Sequence, residues 1–294
     1  MDPLGRQALR PFHSVDQLVD GCQKIFQRMD RDLGSLFDEM RKMNLLDLAS
    51  RKGKAPGGYQ SALSESRKPF IFMNAVGVDQ DLRTLLHESG HAFHALLSAP
   101  EPIVDYRHAP MEFNEVASMS MELLADKYLD VFYTPEEGLR SQLSHLEDVV
   151  FVLAWVANID AFQHWIYENP EHSPEERRRK WNDLYLQYSG GLTQWDGHEE
   201  IRDYLWHRQL HIFEVPFYYI EYGIAQLGAL QLWLNARDNH MKALKNYKGA
   251  LSLGGTKPLP EIFETAGIQF DFSINTIRPL AEKIDSTLDE LYRF

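Results

Sequence analysis

Residues 87–91 read His-Glu-Ser-Gly-His. On a helix, positions i and i+4 share a face, so His87 and His91 can present two imidazoles to one metal ion. Glu88 sits one step round the helix. It can reach a water on that ion without ligating, as the general base of a zinc peptidase would. Zinc would lower the pKa of that water and polarise a scissile carbonyl. The surrounding stretch, TLLHESGHAFHALL, is apolar, whereas an accidental match on the surface would have polar neighbours. Two ordinary helix histidines are the alternative.

A catalytic zinc takes a third protein ligand and keeps an open position. Downstream, EFNEVASMSMELLAD places Glu115, Glu122 and Asp126 on one helix face. A stripe of carboxylates among apolar residues is costly unless it meets cations. Glu115 is the expected third ligand. Glu122 is expected to hydrogen-bond the far nitrogen of a ligand histidine. A solvated face is the alternative for Glu122 and Asp126. Glu112 is expected to serve the first turn of its helix. His94 either supports the metal site from behind the ligands or is a hydrogen-bonded core histidine. A second constellation, WHRQLHIFEVPFYYIEY at 206–222, holds His207, His211, Tyr218, Tyr219 and Tyr222. Phenol and imidazole can donate to a developing oxyanion; the alternative is aromatic packing.

Helical periodicity supplies most of the elements that must position these groups. The spacing predicts a helical pair over 15–43, turning near Asp30 and Gly34. Residues 51–69 read as loop with a short strand near 59–63, and PFIFMNAV at 69–76 as a strand. Helices are expected over 79–97, with Asp79 and Asp81 at its start, and over 111–133, 135–168 and 174–188. Others are expected over 198–211, 216–235, 260–266 and 277–292. The fold class is mainly α, with a small β element before the helix that carries the two histidines.

The 294 residues carry 43 acidic and 30 basic side chains, a formal net charge of −13. An acidic chain lacks the basic face that grips a phosphate backbone, so no nucleic-acid partner is expected. The single cysteine, Cys22, excludes an intrachain disulfide and a thiolate zinc cluster. The N-terminus does not read as a secretory signal. No run approaches the length of a membrane span; the nearest, 212–234, is interrupted by Glu214, Glu221 and Gln226. A cytoplasmic protein with no membrane partner is the expectation.

Several segments together resemble one family: KGKAPGGYQ, PFIFMNAVG, HESGHAFHALL, EFNEVAS, HIFEVPFYYIEYGIAQLGALQLW and GGTKPLPEIFETAGIQFD. They are similar to the thimet oligopeptidase and oligoendopeptidase F family of zinc metallopeptidases, most closely its bacterial oligoendopeptidase F branch. The resemblance implies a helical zincin-type catalytic domain, one Zn2+ ion, and endopeptidase cleavage of short unstructured peptides in a deep channel. It implies His87, His91 and Glu115 as ligands and Glu88 as base. It makes Tyr222 the oxyanion donor, His211 a contact to substrate backbone, and Tyr219 another active-site tyrosine beside Tyr218. Gly57, Gly58 and Tyr59 resemble a segment flanking the cleft, where an extended peptide could add as a strand.

Family members usually carry a long helical N-terminal region, whereas Met1 lies only 86 residues before His87. The expectation is one catalytic domain over 1–294: a fragment, a catalytic half or a short natural form. Apolar surface left by the missing region would favour self-association or a complementing chain. Two rival readings stand beside the oligopeptidase. One is a zinc carboxypeptidase, which needs a cationic anchor such as Arg107 or Arg208 for the terminal carboxylate. The other is a non-catalytic metal-binding half. Ligand type favours zinc without excluding manganese or cobalt.

Overall fold

The protein is described by a computed structural model covering residues 5–293. Residues 1–4 and 294 of the expected 1–294 domain lie outside the described residues. By its contacts the chain divides into two compact units, one of Met1–His145 with Ala225–Phe294 and one of Leu146–Ile224.

The first unit opens with α1 (Val15–Met29) and α2 (Arg31–Lys42). Asp30 makes the turn: its carboxylate accepts from the backbone N–H groups of Asp32 and Leu33 and so caps α2. Gly34, expected to share in that turn, lies inside α2. Three strands follow: β1 (Leu46–Ala49), β2 (Tyr59–Leu63) and β3 (Lys68–Ala75). Their order is β1-β3-β2, with β1 parallel and β2 antiparallel to β3. Of the three strands, β1 is not expected from the sequence, because a four-residue strand carries too little periodicity to register; nor is the helix at His240–Leu251. β3 alternates buried Pro69, Ile71, Met73 and Ala75 with half-buried neighbours, as a strand with one face on a core must.

That core face meets α3 (Asp79–Ser98), the helix carrying the two histidines. Its start is built by Asp81 rather than Asp79. One oxygen of Asp81 accepts from the backbone N–H of Val76, Gly77 and Val78, fixing the passage from strand to helix. α4 (Met111–Ala125) packs on α3, and their backbones meet at Gly90. A Cβ on Gly90 would sit 2.5 Å from the Ala117 carbonyl oxygen and 2.6 Å from Ser118 Cα. The expected helix over 111–133 ends early: α4 stops at Ala125, and residues Asp126–Val131 tighten into a 3₁₀ turn, with Asp126 as the C-cap of α4.

α5 (Pro135–Glu168) and α9 (Ile220–Asp238) each contain a boundary between the units. α10 (His240–Leu251), α11 (Leu259–Ala266) and α12 (Ile274–Tyr292) complete the first unit. The second unit adds α6 (Pro174–Ser189), started by a capping box between Ser173 and Glu176, and the short helices α7 (Glu199–Asp203) and α8 (His211–Glu214). Trp155, Ile159, Phe162, Trp181, Leu184 and Trp206 form its core. The single helix expected over 198–211 is instead α7, a 3₁₀ turn at Leu205–Arg208, and the start of α8. Trp206, in the 3₁₀ turn between the two short helices, is buried in the core of this unit.

The apolar candidate for a membrane span differs from the one the sequence offered. Among the described residues, α5 is the one helix long and apolar enough to cross a membrane by length and composition. Its Trp155, Val156, Ile159 and Phe162 are buried in the protein interior, while Val150 and Phe151 are exposed.

Gly90→Ala tests the helix contact. Helix propensity alone favours alanine by about 1 kcal/mol. Overpacking against rigid backbone costs about 1–3 kcal/mol and should win. A lower thermal midpoint is therefore expected. Gly138→Ala in α5, whose Cβ would meet nothing nearer than 3.9 Å, should raise the midpoint instead.

Candidate active site

Helix α3 presents Asp79, Arg83, His87 and His91 at four-residue intervals, hence on one face. α4 brings Glu115 to the two histidines. Its Oε2 lies 3.3 Å from His87 Nε2 and 3.6 Å from His91 Nε2. Each of the three residues offers a ligand atom, all within 4.8 Å of one another. Ligands held tetrahedrally at zinc bond lengths of about 2.0–2.2 Å are separated by roughly 3.3–3.6 Å, so the spacing fits a common ion. Two imidazoles and one carboxylate are also a donor set of catalytic zinc centres.

Glu122 contacts one of these candidate ligands. Its Oε1 lies 2.7 Å from His87 Nδ1. A carboxylate only accepts, so Nδ1 carries the proton and Nε2 keeps its lone pair for the metal side. Ser118 Oγ donates to Glu115 Oε2 at 2.9 Å and holds that carboxylate in place. The solvated-face alternative for Glu122 and Asp126 does not hold, since both side chains are nearly buried. Asp126 accepts from Arg83 Nη1 at 2.6 Å. Arg83 also donates to the Ser141 carbonyl and hydroxyl, and Ser141 donates onward to Asp79. His145 stands between Arg83 and Glu122. Sequence reading missed Arg83 and His145. The available signal for Arg83 was its place four residues before His87 on the same helix; a lone histidine sixty residues away gave none.

The charges of the metal-free cluster follow from burial and neighbours. Burial works against a charged His87, but Glu115 and Glu122 outweigh it and hold the imidazole well above its ordinary range. Burial, aided by the His87 charge, pushes His91 down to about 4. Burial lifts the Glu88 carboxyl to about 7, and the Glu115 charge adds to the lift. Burial also works against the charged forms of Glu115 and Glu122, yet the histidine partners hold both carboxyls below the usual range. Glu88 thus differs from its neighbours: it is buried, lacks a tight cationic partner, and sits next to the ligands.

His94 stands apart from this cluster. Its Nδ1 lies 3.0 Å from the Leu251 carbonyl, and its Nε2 accepts from the Ala109 N–H at 3.2 Å. Both ring nitrogens are therefore engaged by backbone, which matches the core-histidine alternative and not a role behind the ligands. Glu112 lies in the first turn of α4.

The segment Gly57, Gly58 and Tyr59 leads into β2, an edge strand. Gly57 has φ +95°, and the Asn74 side chain donates to its carbonyl at 3.0 Å. At Gly58 a Cβ would lie 3.0 Å from Thr84 Cγ2 on α3. Tyr59 stacks on Phe72 at 5.0 Å and remains half exposed. The Gln60 backbone lies close enough to Glu88 to favour its charged form, so this edge strand and the candidate base are neighbours.

In the second unit the structure gathers His211, Tyr218, Tyr219 and Tyr222 into one aromatic cluster. Ring centroids lie 5.0 Å apart for His211 and Tyr219, 5.8 Å for His211 and Tyr222, and 5.4 Å for Tyr219 and Tyr222. Tyr218 stacks on His211 at 5.8 Å. His207 instead packs edge-on against Trp206. The Gln209 amide lies 2.6 Å from His211 Nδ1, and its oxygen accepts from Trp155 Nε1 at 3.0 Å. With its oxygen engaged by the indole, Gln209 must donate its amide N–H, so Nδ1 accepts and His211 keeps a proton on Nε2. Burial holds His211 below the ordinary histidine value, which favours that neutral donor. Gln209 carried no sequence signal, because an amide becomes informative only once its two partners are placed.

The arginines considered as carboxylate anchors have other partners. Arg107 is buried and donates to the carbonyls of Glu101, Ser64 and Pro102. Arg208 lies over the Trp155 ring, 5.0 Å from its centroid.

Comparison with known proteins gives a consistent result. The family model described as Peptidase family M3 matches residues 2–281. An oligoendopeptidase F homolog of Borreliella burgdorferi is 26% identical over 250 residues, covering 81% of this chain and 41% of that protein. Oligopeptidase PepF of Bacillus subtilis is 24% identical over 286 residues, covering 95% of this chain and 41% of that one. Among solved structures, PZ peptidase A with an inhibitor aligns at TM-score 0.86 and 32% identity, over 95% of this chain and 50% of that one. The chain thus spans about two fifths of these curated relatives, and half of that solved chain.

Glu122→Gln should keep the fold but weaken divalent-metal binding about 10–100-fold, because an amide cannot accept from both flanking imidazoles. Competition against a chromophoric chelator measures the change. An unchanged dissociation constant would remove Glu122 from the site.

Proposed function

The chain belongs to peptidase family M3, and from that premise we propose that it carries the chemistry of a zinc-dependent metalloendopeptidase acting on short unstructured peptides. The observation that carries this reading is the convergence of His87, His91 and Glu115, with the buried carboxyl of Glu88 beside them. His87 Nε2, His91 Nε2 and a Glu115 oxygen would hold the ion. A bound zinc ion supplies Lewis acidity, polarising the scissile carbonyl and making water acidic enough to attack at neutral pH.

Every other role falls to side chains. A Glu88 oxygen takes the proton from the attacking water and hands it to the departing amine nitrogen. Without the ion, burial lifts this carboxyl to about 7; a bound cation would favour the carboxylate, the form that accepts the proton of the water. For the aromatic cluster we adopt the roles that family resemblance implies. The Tyr222 hydroxyl donates to the oxyanion, with Tyr219 as a further active-site phenol. His211 Nε2–H donates to a substrate carbonyl, and Tyr218 borders the same substrate. The open edge of β2 at Gly57, Gly58 and Tyr59 gives an extended peptide backbone a partner for strand addition.

In this reading both units form one metallopeptidase catalytic domain acting in the cytoplasm, alone, self-associated or completed by a further chain. The carboxypeptidase alternative is weaker, because Arg107 is already engaged by three carbonyls and Arg208 by an indole ring. The non-catalytic alternative predicts stoichiometric zinc without cleavage.

Digestion of a mixed peptide library by the zinc-loaded chain, with a chelator control and mass analysis of products, separates all three. Internal cleavage that the chelator abolishes is expected. Glu88→Gln should bind zinc normally and lose about 10²–10⁴-fold in kcat. Tyr222→Phe should lose about 10²–10³-fold with little change in KM. A chain that neither binds zinc nor cuts any peptide when zinc is added would sink the proposal.

A further inference from the structure

His145, on α5, touches no candidate ligand, yet it closes a chain of contacts that ends at one. Its Nε2 lies 3.3 Å from Glu122 Oε2. The other oxygen of the same carboxylate lies 2.7 Å from His87 Nδ1. On its far side, His145 Nδ1 lies 3.0 Å from Arg83 Nη1. A guanidinium has donors only, so Nδ1 must accept. Asp126 Oδ2, 3.8 Å from the same nitrogen, would favour a proton there. Burial and the Arg83 charge work against a charged ring, and Asp126 and Glu122 together draw it toward that form, but the shorter contact is to a donor-only partner and makes Nδ1 the acceptor. The remaining ring proton then sits on Nε2, the nitrogen that lies 3.3 Å from Glu122 Oε2.

Glu122 is thereby gripped at both oxygens by imidazole N–H donors, one from a candidate ligand and one from behind. With one donor only, the carboxylate would be free to turn, since its terminal torsion is soft. A buried acceptor would also lose a partner. Arg83 is itself fixed by Asp126, by the Ser141 carbonyl and by the Ser141 hydroxyl. Tyr133 and Ser141 both donate to Asp79, which lies 3.9 Å from Arg83. The geometry points to His145, locked in its tautomer by Arg83, as a positioning residue that holds Glu122 and through it aims His87 at the metal. The inference rests on the reading above in which His87 is a zinc ligand.

The asymmetry of the ring supplies the test. Asparagine can imitate Nδ1 but not Nε2, whereas glutamine can place an amide N–H where Nε2 stood. Zinc affinity of the full chain is measured by chelator competition for the wild type, His145→Asn, His145→Gln, Glu122→Gln and the double variant Glu122→Gln with His145→Asn. His145→Asn should bind zinc about tenfold more weakly, and His145→Gln should stay within about threefold of wild type. The double variant should bind no more weakly than Glu122→Gln alone, because His145 acts through that carboxylate. The metal-free thermal midpoints of the two His145 variants should fall alike.

Wild-type affinity in His145→Asn, fully additive losses in the double variant, or affinity losses that merely follow the thermal midpoints would overturn the inference. If His145→Asn does not fold, ring ¹⁵N–¹H correlations of the zinc-loaded wild type decide instead. They should show His145 protonated at Nε2 alone, and a proton at Nδ1 refutes the assignment. If the wild type binds no zinc at all, the ligand reading fails and takes this inference with it. That case is recognisable because all the variants then match the wild type.

Discussion

The metal cluster depends first on how closely two helices approach. Gly90 has no side chain, so the α3 backbone rests directly on Ala117 and Ser118 of α4. This contact lets Glu115, three residues before Ser118, come within 3.6 Å of both histidines. A methyl group between the backbones would drive them apart, and every ligand distance would lengthen together. The glycine inside the histidine motif is therefore part of the site's geometry, although it donates and accepts nothing there. Tyr247 reinforces the same place by donating its hydroxyl to the Ala117 carbonyl.

Given that approach, the buried charges must be reconciled. Glu88, Glu115, Glu122 and Asp126 stand close together in the interior, and unpaired carboxylates there are costly. Arg83 answers Asp126, and the flanking imidazoles answer Glu122. Glu115 faces His87 and His91, and Glu88 is left to rise toward neutrality. A divalent cation would be the largest charge in this cluster and would replace the proton that the metal-free protein places on His87. The acidic balance of the chain thus acquires a local meaning that a net charge of −13 could not express.

The aromatic cluster of the second unit obeys a related rule with neutral groups. Trp155 fixes the Gln209 amide, and the amide fixes which nitrogen of His211 carries the proton. The three tyrosines enclose that ring. Neutral donors of fixed orientation keep their direction as charge develops nearby, which is the property oxyanion stabilisation requires.

Periodicity marked most helices, and the strand at 68–75, because each buries one face over enough residues to leave a pattern. The expected helix over 198–211 is broken into α7, a 3₁₀ turn and α8, pieces too short for periodicity to tell from one helix. In the site, the two histidines, Glu88 and the carboxylate stripe of α4 were legible from spacing within single helices. Residues joined only by packing were not. His145 reaches Glu122 across 23 positions, Arg83 reaches Ser141 across 58, and Gln209 reaches Trp155 across 54. His94 carried the right residue type in the right helix, yet the backbone of Leu251 and Ala109 claims its ring. The sequence by itself determined the donor types and the helices that carry them, since both are local properties of the chain. Tertiary structure decided which carboxylate meets which imidazole and where each ring proton sits, since those depend on neighbours that only folding brings within hydrogen-bonding distance.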